Sequence, residues 1–235
     1  MILFIKHADT EGPGTLEEAF KDTSHKTQIV NLNRHQSLPD LKQCAAIISL
    51  GGPMNVYQSD KYPFLKAEEN FLKKAIAQNI PVLGVCLGAQ LLAKVCGAEV
   101  NRAQGQEIGW YDLTLTKEAR RDPLFSGLNN TLSVFQWHQD SFDLPQDSSL
   151  LASSLLCQNQ AVRMGRYAWG LQFHPEMTLN MVSQWLNTNK EDLDKTAIIA
   201  ESFQKWDEYF KQTQKMYKNF KRIVESASKH RVKSR

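Results

Sequence analysis

Cys86 stands in the run Pro81-Val82-Leu83-Gly84-Val85-Cys86-Leu87-Gly88-Ala89-Gln90, with a glycine two residues before it and another two residues after it. A short apolar run leads in, and a helix-competent stretch, Ala89 to Val95, follows at once. The order is strand, sharp turn, helix, with a thiol at the turn, the cysteine counterpart of a G-x-S-x-G nucleophile elbow. Small flanking residues let the backbone turn without a Cβ clash. A helix N-terminus beside the sulfur favours thiolate over thiol. The plain alternative is a buried core cysteine that closes a strand.

A second segment supplies what a nucleophilic thiol needs. Trp169-Gly170-Leu171-Gln172-Phe173-His174-Pro175-Glu176 is another short apolar strand, and it ends in His-x-Glu. Side chains two apart on an extended chain point to the same side. Pro175 biases His174 toward extended backbone and fixes its own φ. Glu176 can then hold one ring nitrogen and leave the other for Cys86, which is nucleophile, base and orienting group in one set. His-Pro-Glu alone is a weak signal, because surface histidines near acids are common.

A third segment could stabilise the charge such an attack creates. Ala45-Ala46-Ile47-Ile48-Ser49-Leu50 reads as a buried strand running into Gly51-Gly52-Pro53-Met54-Asn55. Two glycines after a strand can aim a backbone N–H into a site. The Gly52 N–H with that of Leu87, just after the nucleophile, would make an oxyanion hole. Taken alone, the segment reads better as an ordinary strand-to-loop turn.

Together the three segments resemble the class I glutamine amidotransferases. The matching residues are Gly51-Gly52-Pro53, Gly84-Val85-Cys86-Leu87-Gly88-Ala89-Gln90 and Gln172-Phe173-His174-Pro175-Glu176. Glu107-Ile108-Gly109-Trp110 and Trp137-His138-Gln139-Asp140-Ser141-Phe142-Asp143-Leu144-Pro145 are similar to the stand-alone "GMP synthase-like" branch. In true GMP synthases the second of these usually reads Ser-His-Gly-Asp. Gln139 replaces the glycine here, which bears on how that loop meets a partner domain and not on the triad. The resemblance implies a flavodoxin-like α/β three-layer sandwich, with a central, mostly parallel sheet and a small antiparallel extension. It implies amide hydrolysis of glutamine or a γ-glutamyl side chain through a γ-glutamyl thioester, releasing ammonia. The roles that follow are Cys86, His174 and Glu176 as triad and Gly52 and Leu87 as oxyanion hole. Gln90 would contact the α-carboxylate or α-amino group of the substrate, the alternative being a buried, satisfied amide. His138 reads as a substrate-loop or structural histidine rather than a metal ligand. No cofactor or metal is expected for these steps.

The elements that must position these residues follow from the pattern along the chain. Expected are strands at Ile2–Lys6, Thr27–Leu32, Ile47–Leu50 and Pro81–Val85, with helices at Leu16–Asp22 and Phe64–Gln78. That βαβ rhythm argues for a parallel sheet covered on both faces. The nucleophile then lies at the carboxyl end of a strand, where open α/β sheets bind ligands. After Gly97 the pattern turns to short alternating strands at Tyr111–Thr116, Thr131–Gln136, Leu150–Ser153, Gln160–Met164 and Ala168–Phe173. Beyond about Leu193, Phe203, Trp206, Phe210, Thr213, Tyr217, Phe220 and Val224 recur at spacings of three and four, one apolar stripe on a long helix. Lys211, Lys215, Lys218 and Arg222 form a second, basic face. The stripe either docks on its own domain or makes a homodimer or partner contact. The chain thus divides into an amidotransferase domain, residues 1–190, and a helical extension, residues 191–235, whose end from Lys229 to Arg235 is expected to fray.

Bulk properties bound the rest. The 235 residues suffice for one α/β domain, and 42% hydrophobic with 23% charged residues is ordinary globular composition. A net charge of +3 argues against nucleic acid as a partner. No apolar stretch approaches the roughly 20 residues that span a bilayer, and Met1 to Lys6 is too short for a signal peptide. Cys44, Cys86, Cys96 and Cys157 lack C-x-x-C spacing and read as free thiols of a reducing cytoplasm. The chain carries no glycine-rich phosphate loop for an ATP-using synthetase. Two readings of function therefore stand: a glutaminase subunit serving a separate ammonia-accepting synthetase, or a free-standing γ-glutamyl hydrolase or peptidase. A silent binding module is a third, against which the intact triad speaks.

Overall fold

Strand β1 (Ile2–Lys6) sends Ile2 and Phe4 into one apolar cluster and Leu3 and Ile5 into another, so the sheet it belongs to is buried on both faces. In the computed structural model, which describes residues 1–189 and 192–233, β1 is one of nine strands in a single sheet. The others are β2 (Thr27–Asn31), β3 (Ala46–Ser49), β4 (Val82–Val85), β5 (Val100–Leu115), β6 (Thr131–Phe142), β7 (Ser148–Ser153), β8 (Ala161–Met164) and β9 (Ala168–Leu171). Their spatial order is β2-β1-β3-β4-β9-β8-β7-β5-β6. The first five are parallel. From β9 onward the neighbours pair antiparallel.

Helices close both faces, as a parallel α/β sheet requires. Helices α2 (Phe64–Ala77) and α3 (Leu87–Val95) bury Leu65, Leu72 and Leu91 against Leu3, Ile47 and Val82. On the other face α1 (Gly14–Phe20) and α5 (Lys195–Lys233) bury Phe20, Tyr217 and Phe220 against Phe4, Ile48 and Trp169. A third cluster sits at the end of the sheet, where α4 (Leu179–Thr188) brings Met181 and Trp185 against Trp110, Phe135 and Tyr209. The three layers and the parallel half with its antiparallel extension are those expected from the sequence. The extension comprises four strands, among them the two longest.

Several elements differ from expectation. Strand β5 begins at Val100, eleven residues before the expected start, because Asn101 to Gln106 is polar and alternates poorly. Pairing with β6 holds that half, across a bulge between Arg102 and Glu107. For the same reason β6 runs on through Trp137 to Phe142. Helix α4 is not among the expected elements; Thr178 caps it, its hydroxyl accepting from the Met181 N–H at 3.1 Å. The docked face of α5 is offset from the expected stripe. Phe203 is 66% exposed and Phe210 40%, while Tyr209, Met216 and Ile223 are buried instead. Lys211, Lys215, Lys218 and Arg222 face outward. The helix continues through Lys233, and Arg231 donates to the Cys44 and Ala45 carbonyls; Ser234 and Arg235 lie outside the described residues. So does the expected division of the chain, which falls at residues 190 and 191. Among the described residues no helix is long and apolar enough to cross a membrane.

Candidate active site

The turn between β4 and α3 places Cys86 at φ 49°, ψ −105°, a conformation an L-residue enters only under strain of about 1–3 kcal/mol. Two anchors hold it. The Cys86 N–H donates to the Leu171 carbonyl of β9 at 2.8 Å, and the Gly88 N–H donates to the Leu50 carbonyl at 3.2 Å. The flanking glycines are there for close approach. A Cβ on Gly84 would lie 2.5 Å from the Gly88 carbonyl oxygen, and one on Gly88 would lie 2.2 Å from that of Ser49. Cys86 sits at the N-cap of α3, among backbone N–H groups that favour negative charge.

His174 follows β9 and forms an antiparallel bridge with Phe135 of β6, its N–H donating to the Phe135 carbonyl at 3.0 Å. Its Nδ1 meets Glu176 Oε1 at 2.7 Å, and both side chains are buried. Its Nε2 makes no full hydrogen bond with any described residue. The sulfur of Cys86 faces this ring. A Cβ on Gly51 would lie 3.0 Å from His174 Cε1 and 3.8 Å from Cys86 Cβ, so the two side chains meet over that glycine. The ring packs edge-on against Trp185, 5.0 Å between centroids. Burial opposes a charge on His174, but the Glu176 carboxylate and the Cys86 sulfur outweigh it and hold the imidazole well above its ordinary value.

The backbone of this His-Pro-Glu turn is gripped from α5. The Tyr209 hydroxyl lies 2.5 Å from the Pro175 carbonyl and 2.9 Å from that of His174, and it accepts the Met177 N–H at 3.0 Å. The Tyr217 hydroxyl also reaches the Pro175 carbonyl at 2.5 Å, and Thr15 Oγ1 lies 2.9 Å from that hydroxyl. The Thr15 N–H donates to the Glu176 carbonyl at 2.9 Å.

Gly51 and Gly52 lie at the C-terminal end of β3. A Cβ on Gly52 would stand 2.7 Å from Leu87 Cδ2 and 2.8 Å from His7 Cβ, so this loop abuts the helix that follows Cys86. Among the described residues neither the Gly52 nor the Leu87 backbone N–H finds an acceptor. Behind the loop His7, Glu68 and Ser49 form a fully buried polar cluster. The cleft in front has a volume of about 490 Å³; Cys86, His174, Trp137, Trp185, Gln90 and Glu11 are among its lining residues. Among the described residues the lining contains no lysine or arginine. Burial pushes the Glu11 carboxyl up, against the pull of His174 and His7.

Gln90 is buried in the wall, and its amide nitrogen lies 3.3 Å from both the Asp140 carbonyl and Gln172 Oε1. Gln172 in turn points its amide nitrogen at the Cys86 sulfur, 3.7 Å away. His138 also lines the cleft, with both ring nitrogens engaged, Nδ1 with the Asp140 carbonyl at 3.0 Å and Nε2 with Glu107 at 2.8 Å. The Glu107 carboxylate accepts in addition from Ser154 and Gln160, each at 2.6 Å, and so ties β5, β6 and the β7–β8 connection together. Ligand atoms of Glu107, His138 and Cys157 lie within 4.8 Å of one another, a spacing a cation could use, but these hydrogen bonds already occupy the first two.

Sequence reasoning misses His7, Glu11 and Tyr209, and it takes Tyr217 only as part of an apolar stripe. Each is a single residue without a motif, brought to the site by tertiary packing. For the tyrosines a signal exists: a polar-tipped aromatic on a buried helix face needs a hydrogen-bond partner.

A family model described as glutamine amidotransferase class-I matches residues 14–190. A glutamine amidotransferase-like protein of Salmonella typhimurium, YfeJ, is 28% identical over 194 residues, 81% of each chain. A glutamine-hydrolyzing GMP synthase subunit of Methanothermobacter thermautotrophicus is 35% identical over 117 residues, 49% of this chain and 61% of that one, so the match spans less than two thirds of its length. The crystal structure of a glutamine amidotransferase from Thermotoga maritima superposes with a TM-score of 0.86 at 32% identity, covering 95% of this chain and 97% of the other.

Proposed function

Because the chain belongs to the class I glutamine amidotransferases, we propose that it hydrolyses the side-chain amide of glutamine or a γ-glutamyl compound with Cys86, His174 and Glu176. The observation that carries this is the free Nε2 of His174 facing a thiol on a strained turn, with Glu176 on the other ring nitrogen. The Cys86 thiolate attacks the Cδ carbonyl. The N–H groups of Gly52 and Leu87 receive the oxyanion. His174 gives its proton to the departing ammonia or amine as the tetrahedral intermediate collapses to a γ-glutamyl thioester. The same imidazole then takes a proton from water, which attacks the thioester and releases glutamate and the thiolate. Gln90 contributes to the substrate side of the wall, and His138, with both nitrogens committed, keeps the Trp137–Asp140 strand in place.

The catalytic unit is residues 1–190. The extension, residues 191–235, serves it through Tyr209 and Tyr217. The likeness to a GMP synthase subunit supports a role beside a synthetase that consumes ammonia. A second reading, a free-standing γ-glutamyl hydrolase, is favoured by the cleft, whose volume exceeds what one glutamine fills. Pro53 at the start of the oxyanion loop and Gln139 in the partner-facing segment point the same way. The test is to incubate the pure chain with glutamine and a panel of γ-glutamyl amides and peptides, without ATP or metal, and measure ammonia, amine and glutamate. Turnover that vanishes in Cys86→Ala supports the reading. A chain inert toward all of them until a synthetase is added favours the subunit role.

A further inference from the structure

His7 is fully buried, yet both its ring nitrogens meet oxygen atoms: Nδ1 the Gly51 carbonyl at 2.9 Å, Nε2 Glu68 Oε2 at 2.6 Å. The other oxygen of Glu68 accepts from the Ser49 hydroxyl at 2.7 Å. A carbonyl oxygen only accepts, so Nδ1 must carry a proton whichever charge the pair bears. The ring cannot turn away, because it stacks on Phe64, 6.3 Å between centroids at 25°, and Glu68 holds its far side. The Gly51 carbonyl is therefore drawn toward His7.

That carbonyl shares a peptide unit with the Gly52 N–H. In a planar trans peptide the C=O and N–H point in opposite directions. Fixing one aims the other. With the oxygen turned back onto His7, the N–H is aimed away from the buried cluster, and it has no acceptor among the described residues. Two adjacent glycines offer little resistance of their own, since glycine occupies both signs of φ almost equally. Some contact outside the loop must choose the orientation.

We propose that His7, held by Glu68, is the positioning residue that keeps the Gly51–Gly52 peptide turned with its N–H toward the oxyanion. This rests on the amide-hydrolase reading above and adds to it a residue that never touches substrate. Without the His7 donor the peptide is free to rotate. Its carbonyl then presents a partial negative charge where negative charge develops in the transition state. Ground-state binding is little altered, because the contact strengthens only as the carbonyl oxygen becomes an oxyanion.

The test compares His7→Leu with His7→Asn. Asparagine carries an N–H donor two bonds beyond Cβ, as His Nδ1 does, and so can reach the Gly51 carbonyl without reaching Glu68. His7→Leu is expected to lower kcat about 100-fold, the scale of one lost oxyanion donor, with KM changed less than about threefold. His7→Asn should recover at least about tenfold of that loss. If the orphaned Glu68 prevents folding, Glu68→Gln combined with His7→Leu removes both charges together. Crystal structures of wild type and His7→Leu give a readout independent of turnover: the peptide should be reversed in the leucine variant only. An unreversed peptide, a kcat within threefold of wild type, or a KM that rises in step with the loss overturns the proposal. A wild type inert on every γ-glutamyl compound, with an ammonia-accepting synthetase present as well as without one, defeats the amide-hydrolase reading, while the peptide orientation still decides the role of His7.

Discussion

Replacing Tyr209 by phenylalanine removes one oxygen from the middle of the His-Pro-Glu turn. That oxygen accepts the Met177 N–H and offers its single proton to the Pro175 or His174 carbonyl. Met177 is fully buried, so its N–H is left without partner or water. An orphaned buried donor costs about 1–3 kcal/mol. Taking about 2 kcal/mol, the melting temperature of a chain this size should fall by about 4–8 °C. Tyr217→Phe should cost less, about 1 kcal/mol, because the Pro175 carbonyl keeps Tyr209 and the groups that lose a partner are the hydroxyls of Thr15 and Thr213. The double variant must then exceed the sum by roughly 1 kcal/mol, since only in it does the Pro175 carbonyl lose both tyrosine hydroxyls and keep no donor but the Thr15 hydroxyl at 3.5 Å. Urea unfolding of the four proteins measures each corner of this cycle. Activity should follow the cycle too, kcat falling about tenfold or more in the double variant as His174 loses its fixed place. A Tyr209→Phe cost below about 0.5 kcal/mol, or a strictly additive double variant, would refute the idea that the hydroxyls act as a shared clamp.

Two further outcomes are expected. Cys86→Ala should abolish amide hydrolysis and labelling by a glutamine-mimicking electrophile, whereas Cys96→Ala and Cys157→Ala should keep most of both; mass spectrometry that finds the label on another cysteine would contradict the elbow. Glu176→Gln should move the alkaline limb of the kcat/KM profile to lower pH. The carboxylate stabilises the imidazolium against burial, so its loss lowers the value of His174 and the proton departs sooner as pH rises. In the wild type the stability from this raised group is complete below about pH 6.5 and lost as pH climbs through the raised value, so the variant's stability should vary less above pH 6.5. A limb that stays in place or moves upward removes Glu176 from its role.

The parts of the site legible in the sequence are those whose chemistry is local. A cysteine between two spaced glycines, a histidine two residues before a glutamate and a double glycine after an apolar strand are each written in fewer than ten residues. The strands that carry them are legible for the same reason, because burial on both faces gives continuous apolar runs at β1, β3 and β4. The first half of β5 is not. Its strand character comes from β6 and not from its own side chains. A stripe counted by hydrophobicity sets the face of α5 one aromatic too far out, favouring Phe203 and Phe210 over Tyr209, whose hydroxyl is the reason it points inward. His7 carries no local sign at all: its role exists only once Gly51, from the next strand in space, and Glu68, from α2, are beside it.

The pairing of Val85 with Leu171 has a consequence for how such a protein can change. Neighbouring strands lie about 4.8 Å apart whatever their side chains. Cys86 follows one partner of that pair by a single residue and His174 follows the other by three. The backbone separation between Cys86 and His174 is therefore set by the sheet, reproduced wherever β4 and β9 pair in this register. The 82 residues between Val85 and Ala168, by contrast, make a long excursion that returns only to seat β9. That excursion holds Trp137 to Asp140, the far wall of the cleft. Reactivity and selectivity are thus inscribed in different stretches of chain. Lengthening or resculpting the excursion gives the molecule new preferences while its chemistry keeps time to an unaltered ruler.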